Sequence, residues 1–495
     1  RSVSVEDESG GTVSVPLETD YAYDACGDLL SISYSDNATP SVSNAYDALG
    51  RLVSTSDAKG LTTYAYDAFG EMTSESVSGM YSKALTYHRD DYGRNIGYSL
   101  NSIRRIEHAY APATGLMSQT KVGETNVFSY SYVAGTRLLA STSYPNSLAR
   151  TISYEATRDL VTGVSNGAAG SLGYVNDALG RRTSMTRAND VLSYSYNDRS
   201  EVVGAESNTD AAYSYAYSYD DIGNRLSSTE NSQSRTYVSN SLNQYASITN
   251  PAVSPTYDDD GNMLSDGEWA FAWDAENRLI SAAKGTTRLE FAYDSLSRRC
   301  EKKVYESDQL VKHEKYVYLG FKLLAVRDAL NGNEQTAAFL WQPFDFDVPL
   351  CMDRDGETLY FLTDGNKNVV GLFDAAGTRT ATYVYAPFGA LLSASGDKAA
   401  ANPFRFSSEF FDAETGLVYY NYRYYSPSLG RWLSRDPIEE DILNLYRSAY
   451  NNLLSNYDLL GLFSINDIQP GGKFNFNLQL GGLFKLIKWI PSITL

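Results

Sequence analysis

Cysteine and histidine are almost missing from this 495-residue chain, which has three of each. Cys26, Cys300 and Cys351 lie far apart, so the sequence offers neither a disulfide framework nor a Cys-x-x-Cys metal signature, and free thiols are the expectation. His88, His108 and His313 have no second histidine or cysteine at ligand spacing, which excludes a histidine-based metal site and a Ser-His-Asp triad. No nucleotide-binding loop or cofactor motif is present, so no cofactor is expected. Positive charge is also short: 41 lysines and arginines stand against 60 aspartates and glutamates, a net charge of −19. With no basic stripe, nucleic acid is not an expected partner, because phosphate backbones are held by clustered lysine and arginine. The opening RSVSVEDESGG lacks a charged region followed by an apolar one, and residues 1–20 read as the residual N-terminal segment of a longer precursor.

What the chain has in abundance is tyrosine (40) and glycine (37), with much serine and threonine and only 14 prolines. These residues favour strands and tight turns, so the expected class is all-β. The length allows several domains, but a repeat array also grows as one body. A unit written aromatic-Asp-x-x-Gly, often followed by Arg or Asn and then Leu, recurs as YDACG at Tyr23, YDALGRL at Tyr46, YDAFG at Tyr66, DDYGR around Gly93, NDALGRR around Gly180, YDDIGNRL at Tyr219 and YDDDGNML at Tyr257. WDAENRL at Trp273 and YDSLSRR at Tyr293 keep the frame without the glycine. The first four glycines are spaced by 23, 20 and 23 residues, and Gly180, Gly223 and Gly261 by 43 and 38, close to two units each. A period near twenty marks a repeat architecture.

Within one unit, segments such as Leu61–Tyr66 and Tyr213–Tyr219 place an aromatic at every second position, as a half-buried strand requires. The following Asp-x-x-Gly predicts a turn, since aspartate bonds the backbone two residues on and glycine accepts positive φ. Each unit therefore reads as a β-hairpin that buries its apolar face only by extending a shared sheet. Calcium binding by the repeated aspartates is the alternative, but it needs several oxygens converging on one point. Between residues 99 and 176 the unit blurs, although strand-like stretches such as Val127–Tyr132 persist. From 316 to 395 the pattern changes to segments like LTDGNKNVVGLFDAAGTRTATYVYAPFG, and Ala394–Asn402 is a polar loop.

The stretch 402–462 contains RYYSPSLGRW, RDPI, LNLY, NN and YDLLGL at short fixed intervals. With Arg423–Tyr425, Pro427, Gly430–Trp432, Asp436–Ile438, Asn444–Tyr446, Asn451, Asn452, Asp458, Gly461 and Leu462 in place, it resembles the RHS repeat-associated core that closes RHS and YD-repeat proteins. That resemblance divides the chain into YD/RHS repeats at 21–315, repeats leading to the core at 316–401, the core at 402–462 and a variable tail at 463–495. It implies a spiralling sheet of hairpins that forms a large hollow barrel or cocoon closed by the core. Such shells occur in bacterial RHS proteins, the C subunits of insecticidal toxin complexes and teneurins. In bacterial members the chain is cut after DPxGL, which falls here at Leu462-Phe463, leaving the C-terminal segment enclosed.

Cutting a peptide bond without histidine or metal calls for a carboxylate that activates water, supported by a second acid. Asp436 is the first candidate, with Asp458 and Asp441 as further ones, and Arg435 beside Asp436 is expected to hold it ionised or to polarise the scissile carbonyl. The alternative is that Asp436-Pro437 and Asp458 simply close turns. Leu453 and Leu459 stand where the family has prolines, which would have fixed φ in the scissile segment.

In the tail, Lys473–Leu480 alternates as a strand does, and Leu483–Ile490 is too short to span a bilayer but suits an interfacial helix or strand. Asp467 against Lys473, Lys485 and Lys488 gives the tail +2 and leaves −21 on residues 1–462, so the shell attracts it. Enclosure of the tail is the leading expectation, with membrane contact or a toxin remnant as alternatives. The expected function is an encapsulating, self-processing shell, secreted or at the cell surface, whose partners are its own C-terminal segment and a missing N-terminal portion or second shell subunit. A teneurin-like adhesion module without cleavage is the alternative.

Overall fold

A computed structural model describes residues 2–6, 12–16, 18–36, 38–102, 104–123, 126–344, 347–438 and 443–466. Strands dominate, and the helical elements among the described residues are three single 3-10 turns. The chain divides into two units, each discontinuous in sequence: residues 1–107 with 256–336, and residues 108–255 with the segment that begins at 337 and carries the core motifs.

In both units successive strands pair antiparallel with their neighbours in sequence, as the hairpin reading predicts. In the first unit Gly60–Tyr66 pairs with Leu52–Asp57 on one side and Met72–Gly79 on the other. In the second, Asp190–Tyr196 pairs with Arg182–Arg187 and Val202–Ser207. The ladder shifts by one residue at the tyrosine of each of these units, between Ala65 and Tyr66 and between Ser195 and Tyr196. Such a bulge turns the strand end toward the turn that follows.

Side chains explain why the unit is written as it is. Asp67 Oδ1 accepts the backbone N–H groups of Phe69 and Glu71 at 2.9 Å each, and Gly70 closes the turn at φ +84°. One hairpin earlier, Arg51 Nε donates to Asp47 Oδ2 at 2.7 Å, its Nη1 donates to the Asp67 carbonyl, and its guanidinium lies 4.9 Å from the Tyr66 ring centroid. The Tyr66 hydroxyl in turn donates to the Leu52 carbonyl at 2.7 Å. A unit of this kind thus clasps the next through its arginine and the previous one through its tyrosine. The same four contacts recur at Asp177, Arg181 and Tyr196, and at Asp274, Arg278 and Tyr293. Where the glycine is absent, Asn277 and Ser297 take its place at φ 58° and 59°. Asparagine and serine tolerate that region because their side chains bond locally.

The blurred region is also built of strands, from Arg104–Tyr110 to Ser171–Asn176. Its turns are longer, for example Ala111 to Leu116, where Gly115 N–H donates back to the Ala111 carbonyl. The period blurs because the turns lengthen. Replacing Tyr66 with phenylalanine is expected to lower stability by about 1 kcal/mol, the usual net worth of one hydrogen bond. The midpoint of chemical denaturation reads that change.

The segment after residue 402 departs from the repeat. Phe410–Asp412, Leu417–Tyr420, Arg423–Ser426 and Arg431–Trp432 form a four-stranded antiparallel sheet, and Asn456–Leu459 pairs with Phe463–Asn466 as a separate hairpin. This sheet packs into its own unit through an apolar cluster that includes Tyr215, Tyr217, Phe388, Phe406, Tyr420, Tyr425 and Trp432. Trp432 is fully buried, edge-on to both Tyr420 and Tyr425.

Candidate functional site

The candidate residues meet at one cation. Arg423 begins the strand Arg423–Ser426 and is buried, its guanidinium 4.2 Å from the Trp432 ring centroid. Its Nη1 lies 3.1 Å from Asp436 Oδ2, and its Nη2 donates to Asp458 Oδ2 at 3.2 Å. The approach to Asp436 is an ion contact rather than an aligned hydrogen bond, since Nη1 has no hydrogen-bond acceptor. Its Nε donates to the Gly461 carbonyl. Both carboxylates are buried, Asp436 at 7% exposure and Asp458 at 3%. A stacked, planar guanidinium suits this task because it presents several donors in fixed directions and stays charged.

Local structure sets each carboxylate. Asp436 Oδ1 accepts the Ile438 backbone N–H at 2.9 Å, and the Asp436 N–H donates to the Leu445 carbonyl, which leaves Oδ2 to face Arg423. Asp458 sits in the strand Asn456–Leu459 and pairs with Ser464.

The turn of that hairpin carries the expected break. Leu460 and Gly461 both have positive φ, 62° and 73°, and Leu462 N–H donates to the Leu459 carbonyl at 3.1 Å. Leucine rarely adopts this backbone conformation, which costs roughly 1–2 kcal/mol. The turn is held from below: Tyr422 N–H donates to the Leu460 carbonyl, and a Cβ on Gly461 would stand 2.8 Å from the Tyr420 carbonyl oxygen. Only glycine fits there. Leu462 is buried, and the Phe463 backbone pairs with Leu459 directly after the turn.

Of the residues expected from sequence, Asp436, Asp458, Leu462 and the Phe463 backbone therefore come to one end of the core. Arg435 does not join them: its side chain is exposed, and the cation beside Asp436 belongs to Arg423. Asp441 lies outside the described residues. Two further groups went unread in the sequence. Arg423 stood in the RYY motif, and the need of two buried acids for a cation was the signal that pointed to it. Glu409, in the apolar run FRFSSEFF, is buried at 7% exposure, and an acid inside such a run is itself a signal. Burial, followed by the charges of Asp347 and Asp458, pushes its carboxyl well above the usual carboxylate range, with Lys367 opposing. The Tyr420 hydroxyl is likewise pushed up by burial and by Glu409, with Asp458 adding to it.

The RHS Repeat family model matches residues 46–79. The tRNA3(Ser)-specific nuclease WapA of Bacillus spizizenii is 29% identical over 255 residues, covering 49% of this chain and 10% of that protein. Toxin subunit YenC1 of Yersinia entomophaga is 27% identical over 296 residues, covering 52% of this chain and 30% of that one. The chain thus spans a tenth to a third of these relatives. In the crystal structure of TcdB2-TccC3-Cdc42, a chain with 19% identity superposes at a TM-score of 0.78, covering 93% of this chain and 27% of that chain, so the two share a fold. The Teneurin YD-shell family model matches residues 71–458, most of the repeats and nearly all of the core, and the chain belongs to that family.

Proposed function

We propose that this chain is the encapsulating shell of a toxin-delivery protein, that it encloses its own C-terminal segment, and that it cuts itself between Leu462 and Phe463. The observation that carries this reading is Arg423, which gathers two buried carboxylates and the Gly461 carbonyl one residue before the bond. Relatives named as a toxin subunit and as a tRNA-specific nuclease are each similar to about half of it, which supports delivery as the setting. Its partners are then its own tail and a second shell portion, and its place is outside the cell or at the cell surface.

The chemistry needs only water and the acids present. One carboxylate, Asp436 in this reading, takes a proton from water as the water oxygen bonds to the Leu462 carbonyl carbon. The C–N bond breaks and the proton passes to the Phe463 nitrogen, leaving a carboxyl on Leu462 and an amine on Phe463. Arg423 holds the acids at a fixed separation and fastens the Gly461 carbonyl, so the turn is presented without further reorganisation. The strained Leu460-Gly461 turn relaxes once the chain is cut.

Intact mass under denaturing conditions tests this. The purified chain is expected to give two species whose masses meet at Leu462-Phe463, and Asp436→Asn a single uncut one, a slowing of roughly 10²- to 10⁴-fold for loss of a general base. One uncut mass for both chains would remove self-cleavage and leave a static shell.

A further inference from the structure

The second unit contains a cavity of about 560 Å³. Leu172, Met185 and Tyr194 line it from the strands Ser171–Asn176, Arg182–Arg187 and Asp190–Tyr196, which pair in that order. Val370 and Tyr385 line it from the strands Val369–Phe373 and Arg379–Tyr385, and Phe406 from the start of the core. Aliphatic and aromatic walls around such a volume suit a ligand with a ring or two.

Three side chains on the wall, Asn166, Arg182 and Asn366, are buried at 4%, 5% and 4% exposure. Each leaves one atom without a hydrogen-bond partner among the described residues: Asn166 Oδ1, Arg182 Nε and Asn366 Oδ1. Two of the three are held in place by their other atoms. Arg182 Nη1 donates to the Leu454 carbonyl at 2.9 Å, and its guanidinium lies 4.1 Å from the Tyr174 ring centroid. Asn366 Nδ2 donates to the Leu453 carbonyl at 2.6 Å and to the Asn456 carbonyl at 3.4 Å, so Oδ1 is the end left over. A buried polar group without a partner is costly, and a ligand that brings one acceptor and a donor relieves that cost.

Charge selects the acceptor. The charged residues on the wall are Arg182, Arg187 and Arg379 against Asp190 and Asp364, one positive charge in excess. Asp190 pairs with Arg187 at 2.9 Å, and Asp364 accepts the Asn366 and Asn368 backbone N–H groups and Asn368 Nδ2. Arg379 is exposed and donates to the Ala169 carbonyl. Arg182 is thus the buried cation with no carboxylate in ion-pair contact among the described residues. A carboxylate answers both needs, because it accepts from Nε with a charged donor and balances the excess.

We propose that this cavity is a binding site for a small aromatic carboxylic acid that also carries an N–H donor. Its carboxylate sits on Arg182 Nε, its donor on the Oδ1 of Asn166 or Asn366, and its ring among Tyr194, Tyr385 and Phe406. Arg182 and Asn366 also hold the Leu454 and Leu453 carbonyls, so the ligand fastens a repeat strand to the core segment and stabilises the fold by mass action. The site is independent of self-cleavage.

The probes are N-acetyl-tryptophan and its neutral counterpart N-acetyl-tryptophanamide, titrated calorimetrically into the purified full chain. The acid is expected to bind and to raise the thermal midpoint, and the amide to bind about 10- to 100-fold more weakly, the worth of a charged hydrogen bond. Asn166→Leu is expected to weaken the acid about 2- to 10-fold. Met185→Trp places an indole in the cavity and is expected to abolish binding, with its thermal midpoint without ligand showing that the chain still folds. N-acetyl-Gly-Gly-Trp distinguishes the source of the acid: binding as tight as that of N-acetyl-tryptophan assigns the site to a chain terminus, and weaker binding to a free small acid. Equal affinity for acid and amide would remove Arg182 as the anchor and overturn the proposal. Binding that survives in a folded Met185→Trp chain would place the ligand elsewhere, and no binding of the acid at millimolar concentration would mean that water alone serves the three atoms; either result overturns it as well.

Discussion

Arg423→Ala is expected to lose about 3–5 kcal/mol of stability and to leave the chain uncut. The size follows from what is left behind. Removing the guanidinium strands Asp436 and Asp458 in a buried site with their shared cation gone, and breaking a buried ion pair from one side costs far more than the pair contributes when intact. It also frees the Gly461 carbonyl and uncovers one face of Trp432. Arg423→Lys keeps the charge but loses the fork, so it is expected to recover part of the stability and little of the cleavage. The informative comparison is the double variant Arg423→Ala with Asp436→Asn. If unpaired charge is the cause, the second substitution relieves the first and the two effects fall well short of adding. Chemical denaturation and intact mass on the four chains read both quantities. Additive losses would point to lost packing on Trp432 instead.

The second large effect lies in the other unit. Lys59, at a hairpin turn, is buried with its Nζ 2.8 Å from Asp57 Oδ2 and 3.4 Å from Asp294 Oδ2, while Asp294 is also held by Arg298 at 2.6 Å. Asp57 Oδ2 accepts the Ser295 backbone N–H across 238 residues of sequence. One ammonium thus fastens an early repeat to a late one. Lys59→Ala is expected to cost about 3–5 kcal/mol, again because buried carboxylates lose their counter-ion. By contrast Arg105→Ala, which removes an exposed partner of Glu107, should cost less than about 1 kcal/mol.

The pH dependence of the Lys59 effect is fixed in sign. Burial pushes the Asp294 carboxyl up, but Arg298 and then Lys59 outweigh it and hold it well below the usual carboxylate range. A depressed carboxyl contributes stability that is present above its unfolded value, about 3.9, and is lost as pH falls through the folded one. The gap between the wild type and Lys59→Ala is therefore widest near neutral pH and narrows on acidification. Denaturation midpoints followed from pH 7 down to the most acid pH at which both chains remain folded check it, and a gap that stays constant throughout would count against the coupling of Asp294 to Lys59.

Much of this was written in the chain order. The Asp-x-x-Gly turn is legible because all its bonds close within five residues, as at Asp67, Gly70 and Glu71. The alternating aromatics were legible for a similar reason, since a strand sends every second side chain to the same face. What alternation leaves open is which distant atom that face meets. Tyr66 was readable as a strand aromatic, but its hydroxyl bond to Leu52 depends on how three strands stack.

The candidate site divides in the same way. Asp436, Asp458 and the Leu462-Phe463 bond are implied by the resemblance of short motifs to the RHS repeat-associated core, so the sequence by itself was sufficient to nominate them and to determine the all-β hairpin repeats. The tertiary structure alone decided which cation serves them. Arg435 is the neighbour of Asp436 in sequence, yet adjacent side chains of an extended segment point apart, and it is exposed. Arg423 reaches the acids because the core sheet folds its strand beneath both the Asp436 segment and the Asp458 hairpin, an arrangement made by packing over 13 and 35 residues of chain. The burial that raises the Glu409 carboxyl, and the clasp from Lys59 to Asp294, are likewise products of distant segments closing over them. Local bonds are set by the residues that make them, whereas desolvation and long-range pairing depend on everything packed around those residues.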